Sequence, residues 1–265
     1  MLLPPAPQAD ASANSATRAW DGILTGQAPP DYLKIYLMEQ SYLRINEIFY
    51  SIQGESTWVG KPCIFLRLTG CPHRCHYCDT SYAFKEGSKR SVESVIEEIG
   101  TYPSKLVEVT GGEPLVQKQI LPVMTQLCDE KYTVLLETSG SQDLKPVDRR
   151  VIKIVDIKTP NSGAANSFDM KNLDHLASHD EIKFVVIDKD DFNWVTEFTR
   201  SHNLFDRVAA VHCSPVMEQE GNEFIQGCQK LDPPLLAEWV LKSGMPFHCH
   251  LQLHKYIWSP TTRGV

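Results

Sequence analysis

"PCIFLRLTGCPHRCHYC", Pro62 to Cys78, joins two kinds of sequence without a break. Cys63, Ile64, Phe65, Leu66 and Leu68 form an apolar run of strand length, which predicts a β-strand buried on both faces. Gly70 ends it, and Cys71, Cys75 and Cys78 follow at once. A buried strand that runs straight into a chemically loaded loop is expected of an α/β protein whose site lies at strand ends.

The same arrangement repeats down the chain. "KLVEVTGGEP" (105–114), "YTVLLETSG" (132–140), "RVIKIVDIKTP" (150–160), "EIKFVVID" (181–188), "DRVAAVHCSP" (206–215) and "PFHCHLQLHK" (246–255) read as strands with polar or glycine-rich tips. Between them lie helical patterns. In "SVESVIEEIG" (91–100), Val92, Val95, Ile96 and Ile99 fall at i, i+3, i+4 and i+7, and Ser91 can cap the start. "ILPVMTQLCDE" (120–130), "DDFNWVTEFTRSH" (190–202) and "LLAEWVLKSG" (235–244) read likewise. Strands alternating with helices predict parallel pairing with right-handed crossovers. "RINEIFYSIQGEST" (44–57) begins strand-like and breaks at Gly54. Residues 1–40, rich in Pro, Ala, Ser and Asp, read as a poorly ordered tail ahead of a domain over 41–265.

The formal net charge of −7 argues against a general nucleic-acid or anionic-membrane surface. No apolar stretch is long enough to span a bilayer, and the N-terminus lacks a secretory pattern. A reducing, cytoplasmic setting is therefore expected, and there the clustered thiols among the eight cysteines serve metals or catalysis rather than disulfides. Cys63, Cys128, Cys228 and Cys249 match no motif and read as packing, as do Trp194 and Trp239.

Three clustered cysteines leave two readings open. A structural zinc site needs a fourth ligand, which His73 or His76 can supply. A [4Fe–4S] cluster normally takes four cysteines; three leave one iron free to bind something else.

CxxxCxxC followed by an aromatic-rich loop resembles the radical S-adenosylmethionine superfamily, and "VTGGEP" (109–114) resembles its glycine-rich GGE tip. "INEIFYSIQGES" (45–56), "FLRLTGCPHRCHYCDTSYAF" (65–84) and "QLHKYIW" (252–258) together resemble the 7-carboxy-7-deazaguanine synthases, from about Ile45 to the C-terminus. The resemblance implies an α/β fold, a partial (β/α)6-type parallel barrel with its active site at the carboxyl ends of the strands. It implies a lyase that contracts 6-carboxy-5,6,7,8-tetrahydropterin to 7-carboxy-7-deazaguanine with loss of ammonia, towards queuosine in tRNA. A 5′-deoxyadenosyl radical, formed from S-adenosylmethionine on the open iron, would abstract and later return a hydrogen.

Roles follow by resemblance. Cys71, Cys75 and Cys78 would hold the [4Fe–4S] cluster, and Thr80 would hold Mg²⁺. Ile52, Gln53, Gly54, Glu55, Arg67 and Thr110 would bind the pterin, Arg67 as a bidentate fork on its carboxylate. Tyr77, Cys78, Asp79, Gly112, Glu113, Ser139 and Lys158 would meet S-adenosylmethionine, with Glu113 accepting from its amino group; "CSPV" (213–216) lies where further cofactor contacts fall. His254 and Lys255 are placed to close over the substrate. The expected partners are an electron donor such as a flavodoxin and a second copy in a homodimer, with no direct nucleic acid and no membrane. Two departures stand out: Ser56 replaces a glycine common among relatives, and "SPTTRGV" (259–265) extends past the segment where some relatives end. A radical activase acting on a partner protein shares the cysteine motif but needs neither Arg67 nor "SIQGE"; a non-enzymatic metal-stabilised binding module explains neither Arg67 nor the GGEP tip.

Overall fold

The computed structural model describes residues 42–258 and 262–265. The expected tail over residues 1–40 lies outside them. Residues Leu43–Val265 make one compact unit.

Nine strands form one sheet in the order β3-β1-β2-β4-β5-β6-β7-β8-β9. They are β1 (Tyr42–Ile52), β2 (Pro62–Leu68), β3 (Ser88–Ser91), β4 (Leu106–Gly111), β5 (Thr133–Thr138), β6 (Ile152–Asp156), β7 (Glu181–Val186), β8 (Ala210–Pro215) and β9 (His248–Cys249). From β2 to β9 every pairing is parallel. Four longer helices, α1 (Val92–Thr101), α2 (Ile120–Asp129), α3 (Lys189–Ser201) and α4 (Pro233–Ser243), carry crossovers; α5 (His254–Ile257) is a single turn. Ser91 caps α1 as its sequence implies, accepting from the Ser94 amide at 3.2 Å.

Strand alternation separates two interiors. Ile64, Leu66 and Leu68 on β2, Val107 and Val109 on β4, and Ile182 and Phe184 on β7 pack into the main core with the helices. The opposite faces carry a small apolar layer, Cys63, Phe65, Leu106, Leu135 and Ile154, and beside it charged residues that line a shared cavity. Six parallel strands of useful length match the expected number. Two features depart from a uniform set of parallel strands. β1 pairs β2 antiparallel, because the connection over residues 53–61 is a hairpin loop too short for a parallel crossover. The alternation in "PFHCHLQLHK" yields only a two-residue strand. Past Cys249 the chain leaves the sheet edge, and the Leu253 amide bonds the Gly54 carbonyl at 2.9 Å. Cys63 and Cys128 are buried as expected, but Cys249 is exposed.

Candidate active site

The strand tips and the β1–β2 loop meet around one cavity of about 410 Å³. One wall is the loop after β2. Cys71, Cys75 and Cys78 all face the cavity, and the Cys78 amide bonds the Cys75 carbonyl at 3.2 Å, folding the loop tightly. Burial pushes the Cys71 and Cys78 thiols up to about 11 each, so this pocket favours neutral sulfur until a cation is bound. Gly112 packs against this loop so closely that an added Cβ would meet the Gly70 carbonyl oxygen at 2.4 Å and Cys71 Cβ at 2.6 Å. On the same wall two buried polar atoms, Tyr77 Oη and Asp156 Oδ1, have no hydrogen-bond partner. Three soft thiolates, a glycine cradle and unpartnered polar atoms together fit a cluster and a polar ligand beside it. Among the described residues no three His, Cys, Asp or Glu side chains converge to hold a single ion.

Tyr77, Asp79, Thr80, Ser139 and Lys158 also reach the cavity. Thr80 Oγ1 lies 3.8 Å from Cys78 Sγ. Lys158 Nζ bonds Asp156 Oδ2 at 2.9 Å and lies 5.4 Å from the centre of the Tyr77 ring. Asp79 pairs with Lys255 at 2.6 Å across the mouth. Glu113 differs from the expected direct contact. Fully buried and off the cavity wall, it accepts from Thr138 Oγ1, the Ser139 amide, Ser139 Oγ and the Leu115 amide at 2.6–3.2 Å. Its carboxylate therefore braces the tips of β4 and β5.

The other half of the site arrives from the opposite end. Because β1 runs antiparallel, the loop after it starts beside the amino end of β2, yet Ile52, Gln53, Gly54 and Glu55 line the cavity. Gln53 Nε2 donates to Glu108 on β4, and Glu55 accepts from Lys183 Nζ at 2.6 Å and Gln252 Nε2 at 2.7 Å. An added Cβ on Gly54 would lie 2.0 Å from His254 Nδ1. Farther along, Thr57 donates through its amide and hydroxyl to the buried Glu181, which also accepts from His212 Nε2 at 2.7 Å. Arg67 and Thr110, paired across β2 and β4, also line the cavity. Glu47 holds Arg67 at Nε (2.7 Å) and accepts from Tyr82 Oη (2.9 Å), which orients the guanidinium fork. Thr262 to Val265 return to the cavity, with Arg263 over the Tyr82 ring at 3.7 Å.

Sequence reading missed Glu108, Glu137, Asp156 and Lys183. Each is a charge in a strand made mostly of apolar residues, where it needs a partner or a function.

Residues 66–162 match the Radical SAM superfamily. The chain is 46% identical over 227 residues to the 7-carboxy-7-deazaguanine synthase of Koribacter versatilis, covering 84% of this chain and all of that protein. It is 41% identical to the 7-carboxy-7-deazaguanine synthase of Chlorobaculum tepidum, covering 84% of this chain and 97% of that protein. The crystal structure of QueE from Escherichia coli shares the fold, with a TM-score of 0.64 at 22% identity over 83% of this chain and 98% of that one.

Proposed function

This chain belongs to the 7-carboxy-7-deazaguanine synthase family of radical S-adenosylmethionine enzymes, and from that premise we propose that it converts 6-carboxy-5,6,7,8-tetrahydropterin to 7-carboxy-7-deazaguanine with loss of ammonia, in queuosine biosynthesis. A [4Fe–4S] cluster and S-adenosylmethionine are its cofactors. One observation carries the reading: three thiols at the strand tips and the Arg67 fork face the same cavity, with the Gln53–Glu55 loop entering from the other end.

Cys71, Cys75 and Cys78 would hold the cluster, which with S-adenosylmethionine bound supplies a 5′-deoxyadenosyl radical. Tyr77, Asp79, the Gly112 backbone, Ser139 and Lys158 would position the cofactor, with Glu113 holding Ser139 in place. Arg67 would take the substrate carboxylate in its fork, since a flat guanidinium matches two oxygens where an ammonium does not. Ile52 and the Gly54 backbone would flank the pterin ring. Gln53 and Glu55 would accept from its amino and N–H edge, and Thr110 would contact it from β4. His254 and Lys255 close the mouth beside Asp79, which limits water during turnover.

Thr80 would supply one oxygen to Mg²⁺, with substrate and water supplying the rest. Thr80→Ala is expected to retain the cluster absorbance yet lose its response to Mg²⁺ in turnover assays; an unchanged response rejects the role. A one-electron donor such as a flavodoxin, a homodimer, a cytoplasmic setting and a catalytic domain over 41–265 complete the proposal. No helix among the described residues is long and apolar enough to cross a membrane.

The test is anaerobic incubation of reconstituted protein with reductant, S-adenosylmethionine, Mg²⁺ and 6-carboxytetrahydropterin, read by mass spectrometry. Formation of 7-carboxy-7-deazaguanine is expected. Appearance of 5′-deoxyadenosine without that product would keep the radical chemistry and reject the substrate.

A further inference from the structure

We propose that Lys183, on β7, is a positioning residue for pterin recognition, acting through Glu55 rather than on the substrate itself. The proposal rests on the reading of Glu55 as an acceptor for the pterin's amino and N–H edge.

Lys183 is buried, and its Nζ lies 2.6 Å from Glu55 Oε2, 2.5 Å from Glu137 Oε1 and 3.6 Å from Asp156 Oδ2. An ammonium has three N–H donors, and three carboxylates from three different elements surround this one. Glu55 and Glu137 accept two of those donors as hydrogen bonds and Asp156 stands at ion-pair distance, so the ammonium is held at the cavity wall chiefly by carboxylates. Glu55 stands on a loop, and its other oxygen accepts from Gln252 at 2.7 Å. A carboxylate on a loop, carried into a partly apolar cavity, needs both a counter-charge and a fixed direction if it is to face a ligand edge. Lys183 gives it both from a rigid strand.

Lys183 serves Glu137 as well as Glu55, and the other charged groups around the cavity set how the two carboxylates respond. Glu108 on β4, Glu137 on β5, Asp156 at the end of β6, Lys158 just after it, and His250 and His254 near the last strand all face this region. Burial works to raise the Glu55 carboxyl, but Lys183, with help from His254, overrides it and holds Glu55 below the usual carboxylate range. Glu137, beside the same lysine, goes the other way: burial and the Glu55, Glu108 and Asp156 charges outweigh the attraction and lift it well above that range. The lysine's charge thus keeps Glu55 as the ionised acceptor. Removing it would leave Glu55 to take up a proton or turn towards solvent, and either change takes the acceptor away from the pterin edge.

The experiment measures equilibrium binding of 6-carboxypterin, a fluorescent unreactive analogue, to anaerobically reconstituted full-length protein. 6-Carboxylumazine, which carries an oxygen in place of the 2-amino donor, is the second probe. The wild type is expected to bind the pterin and to prefer it over the lumazine. Lys183→Met is expected to weaken pterin binding by about 10- to 100-fold, the range of one charge-assisted hydrogen bond. It should also shrink the preference over lumazine and leave the cluster absorbance in place. Lys183→Arg is expected to restore part of both, and it carries the test should the methionine variant not hold its cluster. In a Glu55→Gln background, Lys183→Met is expected to cost little more. Wild-type affinity in the lysine variants, or an equal loss with and without Glu55, overturns the proposal. Failure of the wild type to bind 6-carboxypterin overturns the pterin reading itself and this proposal with it.

Discussion

Ser56 stands in a left-handed conformation, φ 64°, and is buried. Its hydroxyl accepts from the Trp58 amide at 3.2 Å, so the side chain recovers locally part of what the backbone costs. Ser56→Ala keeps the strain and loses the bond, and is expected to destabilise the fold by about 1 kcal/mol. Ser56→Gly relieves the strain but frees the unfolded chain, and is expected to stay within about 0.5 kcal/mol of wild type; denaturant titration of both variants distinguishes the two terms. Glu108 is a second residue-scale case. Burial and the neighbouring Glu55 charge, against the opposing Gln53 bond, lift its carboxyl to about 7 from an ordinary 4.5. Across that window the folded chain keeps a proton that the unfolded chain gives up. Stability therefore falls as pH rises from 4.5 to about 7 and levels off above it, by up to about 3 kcal/mol. Glu108→Gln is expected to show a smaller loss of stability between about pH 5 and pH 8 than the wild type. Equal losses would reject the raised carboxyl.

At the scale of elements, the strands and helices that build the sheet were legible because their periodicity is clean: α1 with its Ser91 cap, and β4 to β8 with their polar tips. Most residues assigned to the cofactor reach the cavity for the same reason, since they stand at those tips. What was not legible is the direction of β1 and the destination of its loop. An alternating strand looks the same whether it pairs parallel or antiparallel, and nothing in "SIQGEST" says that it meets Glu108, Glu181, Lys183 and Gln252. Those partners lie as far as 197 residues away. The charged residues inside β4 to β7 gave the available signal, because an apolar strand carries a charge only where a partner waits. The loop's outer anchor can be tested alone. Thr57→Val removes the 2.5 Å hydroxyl bond to the buried Glu181 and leaves that carboxylate oxygen without its donor. It is expected to cost about 1–3 kcal/mol in stability and to weaken 6-carboxypterin binding several-fold, with the iron–sulfur absorbance unchanged. Loss of that absorbance would show that the anchor also supports the thiol loop.

Over the whole molecule, the cavity is assembled from two ends, with thiols at the carboxyl ends of the strands and pterin-reading groups on a loop beside the amino end of β2. The two halves rest on largely different partners and share only the segment after β9, where Gln252 bonds Glu55 and Lys255 pairs with Asp79, so removing the cluster is expected to loosen chiefly the thiol half. After anaerobic chelation, hydrogen exchange is expected to quicken over residues 71–80 and to stay unchanged over 53–57; quickening in both would mean that the halves act as one unit. The separation also sets an order in time as the chain is made. From Gly70 to Cys78 the backbone partners are Ala83, Glu113 and Ser162, whereas Glu55 waits for Lys183 and then for Gln252. At roughly 5–20 residues per second, Gln252 leaves the ribosome roughly 10–40 s after Glu55. The backbone partners that fold the thiol loop are therefore all synthesised while the pocket that will select the substrate still lacks its last anchor: the half of the site that would hold metal can take shape before the half that would recognise a substrate.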